Sequence, residues 1–117
     1  IEKPSESSLS RKIFDIIKLN NQALATSGNY RKYRIDKETN QKYVHSINPL
    51  NGRPARSNIL SVSVKALDCM TADAFATALM VMPLNMGKKL IDETPNVEAL
   101  WIISKNQNFI TYSSKNW

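Results

Sequence analysis

The 117-residue chain carries 16 Lys and Arg against 10 Asp and Glu, a formal charge of +6, with 42% hydrophobic residues and a single cysteine, Cys69. That length accommodates one hydrophobic core of ordinary size and excludes two, and the apolar fraction excludes a disordered tail. One cysteine excludes an intrachain disulfide and a four-thiolate metal site.

The chain opens Ile1-Glu2-Lys3-Pro4, with neither an initiator Met nor the charged-then-apolar profile of a signal peptide, so it reads as a piece of a longer protein. Residues 4–10 are polar and serine-rich, a loop leading into the fold. Residues 12–27 hold two apolar stretches, Ile13-Phe14-Asp15-Ile16-Ile17-Lys18-Leu19 and Ala23-Leu24-Ala25-Thr26, split by Asn20-Asn21-Gln22. The β-branched content and the Asn-Asn break predict a strand hairpin, with two turns of amphipathic helix over 11–19 as the alternative. Ser27-Gly28-Asn29 reads as a turn, 30–35 as a strand, and 36–40 as a polar connection into a strand over 41–46. Asn48-Pro49-Leu50-Asn51-Gly52-Arg53-Pro54 is dense in turn formers and reads as irregular. Residues 59–66 alternate Ile, Leu, Val, Val with Ser, Ser, Lys, the clearest strand in the chain.

The period changes over 68–82, where Thr71 reads as an N-cap, Asp73 as part of an acidic first turn, and the apolar residues as a buried helix. Pro83 ends it, and 84–93 forms a second short helix with Met86, Leu90 and Ile91 on one side. Cys69 and the methionines at 70, 80, 82 and 86 read as core. Residues 99–104 and 109–113, joined by Lys105-Asn106-Gln107-Asn108, form a terminal hairpin. Strands, a helix pair, then strands predict an α+β domain: a mainly antiparallel sheet of about six strands with two helices on one face. The longest apolar run, 74–83, is interrupted by Thr77 and falls well short of the roughly 20 residues of a membrane helix.

Residues 1–56 hold 11 Lys and Arg against 5 Asp and Glu, and residues 57–117 hold 5 of each, so the net charge resides in the first half. The basic residues are scattered, with acids between them and aromatic interleaving only at Tyr30-Arg31-Lys32-Tyr33-Arg34, which fits a solvated surface rather than a nucleic-acid footprint. His45 is the only histidine and directly precedes the constrained 48–54 loop, the kind of segment on which binding groups concentrate. Asp73 and Thr77, spaced i, i+4, put a carboxylate and a hydroxyl on one helix face, two hard oxygen ligands suited to Mg²⁺. A helix-dipole acid and a buried Thr bonding back to its own helix account for the same pair. Thr26-Ser27-Gly28 offers two hydroxyls and a residue without Cβ, open to a phosphate or flavin edge, although a simple turn explains it as well. There is no P-loop, dinucleotide glycine fingerprint or nucleophile elbow.

Four stretches in order resemble the ApbE family of flavin transferases: Ala25-Thr26-Ser27-Gly28-Asn29-Tyr30; Tyr43-Val44-His45-Ser46-Ile47-Asn48-Pro49-Leu50-Asn51-Gly52-Arg53-Pro54; Ser61-Val62-Ser63-Val64; and Ala72-Asp73-Ala74-Phe75-Ala76-Thr77-Ala78-Leu79. The resemblance covers essentially the whole chain and implies the C-terminal part of an ApbE-like, T-fold-like enzyme, with the N-terminal FAD-binding part absent. Asn29 and Asn48 stand where the family usually has Asp, and Leu50-Asn51 replaces a common Arg-Thr before Gly.

The resemblance implies a Mg²⁺-dependent reaction in which FAD is the substrate, AMP leaves, and FMN becomes phosphoester-linked to a Thr or Ser of an acceptor protein, such as a flavoprotein subunit of a respiratory redox pump. It makes Asp73 and Thr77 metal ligands, with Asp73 the ligand whose loss should hurt most. Thr26, Ser27, Gly28 and His45 become cofactor-binding residues; His45, beside the flavin and the transfer site, is also catalytic, positioning the flavin phosphate or relaying a proton, and Asp73 is an alternative acceptor of the hydroxyl proton. It further implies a periplasmic protein held at a bacterial membrane only through a lipid anchor outside this chain, no nucleic-acid partner, and a fragment inactive on its own. The alternatives are Mg²⁺-dependent hydrolysis of FAD to FMN and AMP, and a non-catalytic binding module.

Overall fold

The computed structural model describes residues 1–4, 12–30, 33–35, 37, 38, 42–44, 46–54, 57–106 and 108–117. In chain order these form β1 (Ala23–Gly28), β2 (Tyr33–Ile35), β3 (Lys42–Val44), β4 (Ile47–Asn48), β5 (Arg53–Pro54), β6 (Ile59–Ala66), α1 (Cys69–Val81), α2 (Leu84–Asp92), β7 (Glu98–Lys105) and β8 (Asn108–Ser113). The α+β class is borne out, with a four-stranded antiparallel sheet of order β1-β6-β7-β8 and two separate hairpins, β2-β3 and β4-β5, in place of a single sheet of about six strands.

Period-2 alternation decides what each face of the sheet does. Val62, Val64 and Ala66 of β6 and Ala99, Trp101 and Ile103 of β7 share one core with Ala72, Ala76, Leu79 and Met80 of α1 and Ile91 of α2. Both helices therefore cover the same face. Trp101 is wholly buried, which removes about 200 Å² from water and contributes about 5 kcal/mol of transfer free energy as an upper bound. The other face carries Thr26, Ser61, Ser63, Leu100 and Ile102, the last four buried. Along its β8 side lies Lys3, whose ammonium sits 5.4 Å from the ring centre of Phe109.

Several expected elements shift. The hairpin predicted over 12–27 keeps only its second strand among the described residues: Ile13 forms an isolated bridge with Glu2, and Ile13 and Ile16 are 73% and 78% exposed. Gly28 belongs to β1 rather than to a turn. The 48–54 loop is a tight hairpin, with Gly52 at φ +65° and its N–H donating to the Asn48 carbonyl at 2.8 Å. Helix α1 begins two residues before the predicted cap, because the Asp68 carboxylate accepts the Thr71 N–H and the Thr71 hydroxyl, both at 2.8 Å. Those bonds, the backbone one foremost, hold the Asp68 carboxyl below its ordinary range. Pro83 separates the helices as expected, but α2 buries Gly87 and Ile91 while Met86 is exposed. Of the residues assigned to the core, Met80 is buried and Met82 packs partly against it, whereas Cys69 and Met70 are exposed. Among the described residues no helix is long and apolar enough to cross a membrane.

Candidate functional site

A β-bulge at Leu60 sets the geometry of the candidate site. The β6-β7 register passes from Ile59↔Ile103 to Ser61↔Ile102, so Leu60 has no partner on β7. Its carbonyl instead accepts the N–H of Asn29 at 2.9 Å, and the Asn29 side-chain amide reaches the Ile59 carbonyl at 3.5 Å. Asn29 is thereby buried and pins the end of β1. A Cβ at Gly28 would lie 2.7 Å from Cε1 of Tyr30, so any side chain there would displace that ring. The space that glycine leaves is filled by the Tyr30 ring.

Strand alternation then divides the hydroxyls of β1. Thr26, opposite Ser63, turns away from the helices, and its Oγ1 lies 2.8 Å from Ser63 Oγ. Ser27, opposite Val62, turns toward α1, and its Oγ lies 3.3 Å from Thr77 Oγ1. One turn earlier on α1 stands Asp73, exposed and without a hydrogen-bond or ion-pair partner among the described residues. The first turn of α1 contains no acid and Thr77 is exposed, so neither a dipole-capping carboxylate nor a buried back-bonding threonine explains this pair. Thr77 and Ser27 thus bring two hydroxyl oxygens together where helix meets strand end, with the Asp73 carboxylate one turn away on the same helix face. Among the described residues no group of three His, Cys, Asp or Glu could by itself hold a metal ion. A cation here would take the Asp73 carboxylate and the Thr77 hydroxyl and complete its shell with backbone, substrate or water oxygens, as Mg²⁺ commonly does. His45 lies outside the described residues.

A cleft of about 860 Å³ opens between the β4-β5 hairpin and the α1-α2 junction, lined by Asn48, Arg53, Asn58, Ile59, Met82 and Leu84 among others. Asn48 Oδ1 accepts the Leu50 N–H at 2.9 Å and Asn51 Oδ1 accepts the Arg53 N–H at 3.0 Å, so both amides stiffen the hairpin. Asn58 and the junction residues carry no motif. Only the fold brings them beside the hairpin, so no sequence signal marks them.

Residues 1–101 match the family model described as the ApbE family. The chain belongs to the ApbE family. It is 38% identical over 117 residues to an FAD:protein FMN transferase of Vibrio cholerae serotype O1, an alignment covering 100% of this chain and 34% of that protein. It is 33% identical over 114 residues to one of Haemophilus influenzae, covering 97% and 32%. Among solved ApbE structures, the flavin transferase of Vibrio cholerae superposes with a TM-score of 0.73 at 36% identity, covering 98% of this chain and 34% of that one. The ApbE protein of Thermotoga maritima gives 0.74 at 30% identity, covering 92% and 34%. The chain therefore spans about a third of the length of these ApbE relatives.

Proposed function

We propose that this chain is the C-terminal part of a Mg²⁺-dependent FAD:protein FMN transferase and supplies its metal-binding and acceptor-orienting side. In that reaction the hydroxyl oxygen of an acceptor Thr or Ser attacks the FMN phosphorus of FAD. A P–O bond forms, the pyrophosphate P–O bond breaks, AMP leaves with the bridging oxygen, and the hydroxyl proton is released. Relatives aligned over the full chain bear the name of this activity.

The observation that carries the reading is the Ser27–Thr77 approach of 3.3 Å beside an unpartnered Asp73. It joins two of the stretches that carry the family resemblance into one oxygen-lined surface. Mg²⁺ bound there would neutralise charge on the pyrophosphate. Asp73 supplies the charged ligand, and Thr77 fixes the second position at one helical turn. Ser27 orients the Thr77 hydroxyl by sharing a hydrogen bond with it, and Gly28 keeps the strand end close to Tyr30 and Leu60. Thr26 acts through Ser63 in fixing the strand, and the role assigned to His45 is to position the flavin phosphate or relay a proton. The acceptor in this reading is a flavoprotein subunit of a respiratory redox pump, met in the periplasm by a lipid-anchored full-length protein.

The full-length enzyme incubated with FAD, Mg²⁺ and an acceptor protein should give acceptor carrying covalent FMN, one AMP released per flavin attached, and loss of both on adding EDTA. The 117-residue chain alone should give neither. FMN appearing free in solution at the same rate with and without acceptor would replace transfer by hydrolysis. Full activity of Asp73→Ala would overturn the assignment of the site.

A further inference from the structure

The cleft between the β4-β5 hairpin and the α1-α2 junction continues the seam that joins Ser27 to Thr77. Val81, which lines it, is four residues past Thr77 and so stands on the same face of α1, about 6 Å further along the helix axis. Ile59, which also lines it and is almost wholly buried, lies two residues before Ser61, the partner of Gly28 at the end of β1. The cleft therefore opens where β1 stops, one helical turn from the Thr77 hydroxyl.

Its lining suits a peptide better than a nucleotide. The Oδ1 atoms of Asn48 and Asn51 are bonded within the hairpin, which leaves their Nδ2–H groups without an acceptor among the described residues. Asn58 donates to the Ser104 carbonyl at 3.2 Å, which leaves its Oδ1 without a donor among them. Side-chain amides carry the same donor and acceptor types as a peptide unit, so they can pair with an extended backbone. Met82 and Leu84 supply apolar surface beside them. Arg53 is exposed and has no ion-pair partner among the described residues. No aromatic side chain is among the described lining residues, so none of them stacks on a flavin or adenine ring.

We propose that this cleft receives an extended segment of the acceptor protein, next to the Thr or Ser that takes FMN and with an acidic side chain on Arg53. The inference rests on the transferase reading above and names where its protein substrate docks. Extended chain rises about 3.3 Å per residue, so a segment seated at Val81 brings a hydroxyl two residues along it level with Thr77. Charge pairing at Arg53 sets the register of the segment.

The test uses the full-length enzyme and, as acceptor, the soluble flavin-carrying domain of a respiratory redox-pump subunit. Binding is measured by calorimetry without FAD, and transfer by covalent FMN. Arg53→Glu should weaken acceptor binding and raise the acceptor KM about tenfold at low salt, with the FAD KM unchanged. Arg53→Lys should keep most of the affinity. Ser57→Trp, which fills the cleft from an exposed position, should weaken acceptor binding in the same way. When acidic residues near the acceptor hydroxyl are replaced by Lys one at a time, one such variant should bind Arg53→Glu more tightly than the unaltered enzyme. A raised FAD KM would hand the cleft to the nucleotide and overturn the proposal. Unchanged acceptor affinity in both Arg53→Glu and Ser57→Trp, with covalent transfer intact, would overturn it and leave the transferase reading standing. Weakened acceptor binding in both, with no covalent transfer by the unaltered enzyme, would uphold the cleft and overturn the transferase reading instead.

Discussion

Ser27 and Thr77, 50 positions apart in sequence, hold their hydroxyl oxygens 3.3 Å apart across the β1-α1 contact. That contact links the strand end fixed by Asn29 to the helix face carrying Asp73. It follows that replacing Thr77 should be felt through its geometry. Thr77→Val removes the hydroxyl and leaves Ser27 to water, at about 0.5–1 kcal/mol of stability because the pair is exposed. Flavin transfer by the full-length enzyme should fall by about a hundredfold, and Thr77→Ser should restore most of it. Activity equal in the Val and Ser variants would remove Thr77 from the metal set.

Asp73 should separate stability from activity. Its carboxylate is exposed and has no partner among the described residues, so Asp73→Asn should change unfolding free energy by no more than about 0.5 kcal/mol. The same change should reduce transfer about a hundredfold or more and raise the Mg²⁺ concentration needed for half-maximal rate. Denaturant melts and Mg²⁺ titrations on one preparation check both halves.

Asp68 should behave in the opposite way, as a structural group with no catalytic part. Asp68→Ala removes the cap of α1 and should lower stability measurably without affecting flavin transfer. Because folding lowers the Asp68 pKa, through the Thr71 backbone bond first and its hydroxyl second, the ionic part of this stabilisation is present above the ordinary value of 3.8. It is lost as pH falls through the depressed folded value. Urea melts taken from about pH 5 down to about pH 2 should therefore show a shallower acid slope for Asp68→Asn than for the unaltered chain.

Gly87 marks where α2 presses on the core. A Cβ there would lie 3.0 Å from Leu79 Cδ2 and 3.5 Å from Trp101 Cζ2. Gly87→Val adds two further methyl groups to a position without room and should destabilise by about 1–3 kcal/mol despite better helix propensity. Leu79→Ala, emptying a wholly buried site on the other side of the same contact, should cost about 2–5 kcal/mol. If the double variant costs less than the sum, the two positions share the strain.

The legible parts of this fold are those whose signal is local. Strand β6 is written in period-2 alternation, the β7-β8 hairpin in two apolar and aromatic runs either side of Lys105-Asn106-Gln107-Asn108, and the helices in a change of period, with Pro83 between them. The stretch over 13–19 shows why β-branched content alone is insufficient. Among the described residues it forms one bridge, Ile13 with Glu2, and no longer ladder, so Ile13 and Ile16 stay exposed. Asp68, and not Thr71, caps α1: both residue types cap helices, and only the direction of the hydrogen bond distinguishes them.

By itself the amino-acid sequence determined the α+β class, the order of the principal strands and helices, the ApbE resemblance and the i, i+4 pairing of Asp73 with Thr77. All of these depend on residue types at short, regular spacing. Only the tertiary structure decided that Ser27 rather than Thr26 meets Thr77 and that the Leu60 carbonyl holds Asn29. The physical reason is that a one-residue bulge or register choice exchanges the two faces of a strand. Which hydroxyl faces a helix is therefore settled by pairing with residues far away in the chain.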